Sequence, residues 1–136
     1  MPELLVIAHA PSPNTERLLA AVLAGARETE PSVATRHVAP LAASPEDVLA
    51  ADGLILGTPE NFGYMSGAMK DFFDRCYYPC LEHTQGLPYA IYVRAGLDGS
   101  GTRTAMERII TGLRWKAAQP ALVLQGAFSA GSFEAQ

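Results

Sequence analysis

The sequence predicts an α/β fold, a three-layer doubly wound sheet of five parallel strands with helices on both faces. Four short apolar runs are nearly continuous rather than alternating, which is typical of strands covered on both faces. The segments between them carry apolar residues at helical spacing. Short loops and right-handed crossovers then favour the strand order 2-1-3-4-5. The four apolar runs are 4–8, 54–56, 89–93 and 121–124.

The first half of the chain contains two strands and two helices. Residues 4–8 predict the first strand, and a stripe that includes Leu18 and Val22 predicts the first helix. Residues 33–38 alternate and carry polar side chains, which indicates an edge strand at one end of the sheet. A short second helix should begin with Ser44 as its N-cap and Pro45 at its first position.

The second half repeats strand and helix. Residues 54–56, 89–93 and 121–124 predict strands three, four and five. Apolar stripes predict the third and fourth helices between them. The stripes consist of Ala68, Met69, Phe72, Phe73, Cys76 and Tyr77 in the third helix, and of Ala105, Met106, Ile109, Ile110 and Leu113 in the fourth.

Composition limits the possible functions. The 136 residues are 49% hydrophobic and 18% charged, which indicates one folded domain over residues 1–136. The net charge of −4 and the lack of a basic run argue against a nucleic-acid partner. We expect no membrane insertion, since no apolar run reaches about 18 residues. Without a signal-peptide pattern at the start of the chain, a cytoplasmic location is expected.

A metal site is not expected. Cys76, Cys80 and His83 are close in sequence, but they are one ligand short of a zinc site. Cys76 falls on the apolar stripe of the third helix, so it is expected in the core. Two cysteines without a disulfide framework also fit a reducing compartment.

A glycine-rich segment leads from the third strand into the third helix. Glycines at 57, 63 and 67 would let the backbone approach a flat ligand. Asn61, Phe62, Tyr64 and Met65 could surround an aromatic heterocycle. On the helix that follows, Asp71 and Asp74 are spaced to pair with Arg75 and Lys70.

Residues 57–75 resemble the flavin loop of the flavodoxin-like NAD(P)H-dependent FMN and quinone reductases, G-T-P-x-Y/F-x-x-x-S/P-G-x-x-K-x-F-x-D-R. The resemblance extends over 4–124 and implies a flavodoxin-like fold. It also implies FMN as the cofactor, NAD(P)H as the electron donor and a quinone or other small molecule as the acceptor. It assigns the flavin ring to Thr58, Pro59, Glu60, Asn61, Phe62, Gly63, Tyr64 and Met65.

The loop after the first strand is the candidate phosphate site. It ends at a helix start, where free N–H groups favour anions. Ser12, Asn14 and Thr15 resemble the end of the flavodoxin phosphate loop S/T-x-T-G-N-T, but Pro11 and Pro13 supply no N–H. The alternative is an ordinary capped helix with Pro13 at its first position. His9, at the end of the first strand, could contact phosphate or substrate, or could be structural.

The loop after the fourth strand, 94–102, resembles the glycine-rich loop beside the flavin's pyrimidine edge. Ser100 or Thr102 could cap the fourth helix, and the alternative is a tight turn before that helix. The loop is not a dinucleotide fingerprint, because its third glycine is missing, and no P-loop motif occurs. The resemblance assigns Arg94, Ala95, Gly96, Gly99, Ser100 and Gly101 to the cofactor.

Three functions follow as hypotheses. The first is an FMN-dependent reductase, in which the flavin carries the chemistry and no catalytic side chain is needed. Loop N–H groups near the ring's N5 and pyrimidine edge would stabilise the reduced anion. The second is a flavodoxin-type electron carrier. The third is a flavodoxin-like domain with weak or no flavin binding, which the two prolines favour.

The last segment, 125–136, has no clear helical stripe, so the final helix of this fold should be shortened or missing. The apolar face beside Leu18, Val22 and Leu23 would then lack a cover, and such faces do not stay exposed. We expect a second subunit there, in a homodimer or homotetramer. The alternative is a monomer in which Phe128 and Phe133 fold back over the face.

Overall fold

A parallel sheet forms the middle layer of the computed structural model, which describes residues 2–29 and 31–125. The strands are β1 (Glu3–Ala8), β2 (Ala34–Val38), β3 (Gly53–Asn61), β4 (Tyr64–Met65), β5 (Pro88–Ala95), β6 (Lys116–Ala117) and β7 (Leu122–Gln125). The helices are α1 (Pro13–Thr29), α2 (Pro45–Ala50), α3 (Gly67–Cys80) and α4 (Ser100–Leu113), and a 3-10 turn spans Pro40–Ala42.

The parallel strands follow the order β2-β1-β3-β5, and both β6 and β7 pair with the outer side of β5. This confirms the predicted order 2-1-3-4-5. Two short strands share the place of the fifth strand in the sheet, since β6 pairs with the start of β5 and β7 pairs with its end. The polar second strand lies at one edge, as its alternating pattern indicates.

Each face of the sheet carries its own core, because successive side chains of a strand point to opposite faces. Leu5 and Ile7 of β1 join the larger core, whose members include Phe72 and Met69 of α3 and Met106 of α4. The predicted stripes of α3 and α4 therefore cover this face. The smaller core lies under α1 and contains Val6, Ala8, Leu18, Val22 and Tyr92.

The start of α2 agrees with its sequence signal. The Ser44 hydroxyl accepts a hydrogen bond from the Asp47 N–H at 3.3 Å, and the Asp47 carboxylate accepts one from the Ser44 N–H at 2.9 Å. This reciprocal pair is a capping box. Ser44 is thus confirmed as the N-cap.

The described residues cover the face beside α1 incompletely. An open groove of ≈ 580 Å³ lies between α1 and the sheet. Ala21, Gly25 and Ala26 line it from α1, and Tyr92 and Leu122 line it from the sheet. The predictions for 126–136, including Phe128, Phe133 and the shortened last helix, lie outside the described residues.

Among the described residues, no helix is both long enough and apolar enough to cross a membrane.

Candidate functional site

Three loops meet at the carboxyl edge of the sheet. Ala8 pairs with Gly57, and Gly57 pairs with Tyr92, so β1, β3 and β5 run side by side toward the same edge. The His9 N–H continues this pairing by donating to the Gly57 carbonyl at 3.0 Å. Three segments are therefore neighbours at this edge: 9–12 after β1, 59–66 from the end of β3 to the residue before α3, and 96–99 after β5. Ligands of open α/β sheets bind in this position.

The segment after β3 forms a hairpin, which the sequence analysis missed. Asn61 pairs with Tyr64, and the two residues between them turn the chain with φ values of 54° at Phe62 and 74° at Gly63. Positive φ at both turn positions is the mark of a tight hairpin turn. No Asn-Gly or Asp-Gly pair occupies this turn, so the usual signal is absent. The turn leaves the Phe62 side chain fully exposed and Tyr64 38% exposed.

The base of the hairpin is fastened to the start of α3. Thr58 is buried, and its hydroxyl accepts from the Ser66 N–H at 3.0 Å and donates to the Pro59 carbonyl at 2.8 Å. Ser66 in turn caps α3 by accepting from the Met69 N–H at 3.2 Å. Met65 is buried beneath the hairpin. Of the expected ring contacts, Phe62 and Tyr64 present exposed aromatic surface, whereas Thr58 and Met65 support the loop.

Two glycines of the site allow close packing within the protein. A Cβ at Gly57 would lie 2.1 Å from the Tyr92 ring. A Cβ at Gly101 would lie 2.3 Å from the Gly63 carbonyl oxygen. The ring of Tyr92 thus fills the space over β3, and the start of α4 touches the hairpin turn.

The third loop is tied to the hairpin by a carboxylate. Glu60 accepts hydrogen bonds from the Leu97 N–H at 2.5 Å and from the Gly99 N–H at 3.0 Å. Gly96 and Leu97 are exposed, whereas Gly99 and Ala95 are buried. The N–H groups of Leu97 and Gly99 are therefore already occupied in this arrangement.

Neither Ser100 nor Thr102 caps α4, so that prediction was wrong. The N-cap is Gly99, which has φ of 72° and makes no side-chain cap. The Ser100 hydroxyl and N–H both donate to Asp98, and the Ser100 N–H bond in particular lowers the pKa of the Asp98 carboxyl. The Thr102 hydroxyl is buried without a hydrogen-bond partner among the described residues. Glycine adopts the left-handed conformation at this position more easily than serine would.

The first loop adopts a capped-helix arrangement. The Ser12 N–H donates to the Thr15 hydroxyl at 2.9 Å, and the Thr15 N–H donates to the Ser12 hydroxyl at 3.3 Å. Thr15 is buried, and Asn14 is exposed. The ring nitrogen Nδ1 of His9 is buried and has no partner in the part of the chain that the structure describes. Two hydroxyls, a helix start and an imidazole nitrogen thus gather after β1.

Charged residues of the motif on α3 have structural contacts. Lys70 pairs with Asp74 at 2.7 Å, and Arg75 pairs with Asp71 at 2.6 Å, as their spacing predicts. Arg75 also donates to the carbonyls of Pro40 and Ala43. It therefore fastens α3 to the turn before α2.

Arg94 is directed along the end of β5, where it donates to the carbonyls of Ala95 and Leu124 at 3.3 Å.

The two cysteines are buried in the core, and burial raises the pKa of the Cys76 thiol to about 11. A protonated buried thiol suits packing rather than nucleophilic chemistry. Within the described ranges, no cluster of His, Cys, Asp and Glu could hold a metal ion.

The arrangement fits a flat aromatic cofactor with a phosphate. Phe62, Tyr64 and Leu97 are large apolar side chains left exposed on neighbouring loops, which is where a ring system could be held. The start of α1, with Ser12 and Thr15, offers hydroxyls and helix N–H groups at the adjacent loop. The orphaned Nδ1 of His9 is one further polar group there.

Known proteins resemble this chain in sequence. The family model for NADPH-dependent FMN reductase matches residues 5–134. A protein of Aquifex aeolicus named flavodoxin is 36% identical over 112 residues, which are 82% of this chain and 60% of that protein. An NAD(P)H dehydrogenase (quinone) of Acidithiobacillus ferrooxidans is 34% identical over 94 residues, covering 55% of this chain and 47% of that protein. The chain thus spans about half to three fifths of these relatives.

Solved structures show the same fold. A flavodoxin from the domain Archaea superposes with a TM-score of 0.81 at 15% identity and covers 98% of this chain and 92% of its own. A WrbA-like flavodoxin protein of Agrobacterium tumefaciens gives a TM-score of 0.73 at 20% identity, with coverages of 98% and 89%. The fold is therefore flavodoxin-like, and the family match over nearly the whole chain shows that it belongs to the NADPH-dependent FMN reductase family.

Proposed function

We propose that this protein is an FMN-binding oxidoreductase that passes electrons from NAD(P)H through FMN to a quinone or another small acceptor. The observation that carries the proposal is the exposed aromatic hairpin at 60–65, set between two other loops at the carboxyl edge of the sheet. Phe62 and Tyr64 expose aromatic surface together, and an exposed apolar patch of this kind supports a binding surface.

Different residues would contact different parts of the cofactor. Ser12, Asn14 and Thr15 would hold the phosphate at the start of α1, with His9 beside them. The hairpin from Thr58 to Met65 would hold one side of the ring, and the segment from Arg94 to Gly101 would border its pyrimidine edge. When bound, FMN supplies the hydride and electron chemistry. The protein then needs to bind and orient the ring and to leave one face open for the donor and acceptor.

The test is direct. The purified protein should take up FMN in a calorimetric titration, and NADPH or NADH should bleach the flavin band under anaerobic conditions. Added quinone should restore the band and sustain nucleotide oxidation. Absence of FMN binding at hundreds of micromolar would reject the proposal.

A flavodoxin-type electron carrier is the second candidate, and the 36% identity to the Aquifex protein favours it. The electron donor that reduces bound FMN distinguishes the electron carrier from the NAD(P)H-dependent reductase. If neither nucleotide reduces bound FMN but a partner reductase does, the carrier function is correct.

A domain with weak or no flavin binding is the third candidate. The mutual bonding of Ser12 and Thr15 supports it, since phosphate would have to compete with a cap that is already satisfied. The titration described above decides between this candidate and the other two.

We further propose a homodimer or homotetramer, in which a second subunit covers the groove beside α1. The groove is lined mainly by apolar residues, with Glu3 and Asp52 also lining it. A cytoplasmic location and the single-domain organisation of residues 1–136 remain predictions.

A further inference from the structure

Glu60 joins the β3–β4 hairpin to the loop that follows β5. Its backbone pairs with Met65 in the hairpin, so its position depends on β3 and β4. Its carboxylate reaches the third loop, with Oε1 at 2.5 Å from the Leu97 nitrogen and Oε2 at 3.0 Å from the Gly99 nitrogen. Each oxygen serves one N–H group, and hydrogen bonds to an ionised acceptor are the stronger kind.

Among the described residues, few other contacts hold the exposed part of the third loop. Residues 96–98 are exposed, so apolar burial contributes little to their position. The Leu97 carbonyl accepts from the Gln125 side chain, and the Asp98 carboxylate accepts from the neighbouring Ser100. Gly101 touches the Gly63 carbonyl just beyond the loop. The two bonds to Glu60 are thus the main link between the exposed part of the loop and the hairpin.

We propose that Glu60 is a positioning residue that clamps the loop 96–99 against the hairpin and thereby shapes the pyrimidine side of the flavin site. The proposal rests on the proposed function for its ligand. The N–H groups of Leu97 and Gly99 donate to Glu60 in this arrangement.

Two substitutions of Glu60 remove these hydrogen bonds to different degrees. In Glu60→Gln one oxygen remains to accept an N–H, but the amide nitrogen faces the second N–H as another donor. In Glu60→Ala both bonds are lost. We expect amide hydrogen exchange at Leu97 and Gly99 to accelerate about tenfold or more in Glu60→Ala, with Glu60→Gln between it and the wild type.

The affinity measurement uses FMN and riboflavin as probes. Both should bind about tenfold more weakly to Glu60→Ala and to an intermediate degree to Glu60→Gln, because the clamp acts at the ring and not at the phosphate. The visible circular dichroism of bound flavin should change as well, since it reports the ring's surroundings. Glu107→Gln is the matched control, because its carboxylate pairs with the Arg103 side chain on α4 and not with a loop backbone.

Two outcomes would overturn the proposal. Tighter FMN binding by Glu60→Ala would mean that Glu60 competes with the flavin for these N–H groups, and the proposal would be overturned. Unchanged exchange at Leu97 and Gly99 would also overturn it. If the wild type took up no FMN, the proposed function would fail, while the exchange rates would still decide whether the clamp exists.

Discussion

Single residues at the carboxyl edge determine how closely its loops approach one another. Gly57 and Gly101 each occupy a position where a Cβ would overlap a neighbour, the Tyr92 ring in one case and the Gly63 carbonyl in the other. Thr15 is buried at the start of α1, where its hydroxyl pairs with Ser12. Substitutions at these positions should therefore have measurable effects on ligand binding or on stability.

Thr15→Ala should weaken FMN more than riboflavin. Of the two parts of the ligand, Thr15 would contact only the phosphate, which riboflavin lacks. A hydrogen bond to a charged group is worth about 1.5–3 kcal/mol, so FMN affinity should fall by about tenfold or more. Calorimetric titration with both ligands checks this, and an equal loss for both would place Thr15 outside the phosphate site.

Gly57→Ala should lower the free energy of unfolding. The added methyl group meets the buried Tyr92 ring at 2.1 Å, and overpacking of this kind costs about 1–3 kcal/mol. Gly25→Ala is the matched control, because a Cβ there meets nothing within 4 Å. Alanine in the interior of α1 should add about 0.4–1 kcal/mol. Urea unfolding measures both, and equal stability of the two variants would contradict the packing argument.

At the scale of elements, the β3–β4 hairpin departs from what local sequence favours. Phe62 has φ of 54°, a left-handed conformation that is unfavourable for a bulky residue. Its side chain is fully exposed, so burial does not compensate for this conformation. Strain of this kind at a ligand site is consistent with a role in binding.

Phe62→Asn should separate stability from binding. Asparagine adopts the left-handed region more readily, so the free energy of unfolding should rise by about 0.5–1 kcal/mol. Loss of the aromatic surface should weaken FMN by roughly three- to tenfold. Urea unfolding and FMN titration of the same preparation test both effects. If the variant bound FMN as tightly as the wild type, Phe62 would not contact the ring.

At the scale of the whole molecule, the two faces of the sheet are unequally covered. The face under α3 and α4 carries the larger core, and the face under α1 is open along the ≈ 580 Å³ groove. An apolar groove of this size is an expected place for a second subunit.

Light scattering at micromolar concentration should therefore give a multiple of the 14.5 kDa chain mass. Ala26→Glu places a charge in the groove and should shift the protein toward the monomer, because an unpaired charge is costly in an apolar interface. Ala24→Glu, at an exposed position on the same helix, should leave the mass unchanged. A wild-type mass near 14.5 kDa would reject the oligomer.

The sequence by itself determined the strand order, the stripes of the helices and the edge at which the loops meet. Continuous apolar runs and 3.6-residue stripes are local patterns, and the doubly wound connection rule converts them into one topology. The i,i+4 ion pairs on α3 and the N-cap at Ser44 were predictable for the same reason, since their partners lie within four residues.

Only the tertiary structure decided how the site is held together. The bonds from Leu97 and Gly99 to Glu60 join residues almost forty positions apart, and the space that Tyr92 occupies over Gly57 depends on two neighbouring strands. Gly99 rather than Ser100 is the N-cap of α4, because the chain enters the helix through a positive φ at this position. Such contacts depend on the distance between loops after folding, and no local pattern of residues encodes that distance.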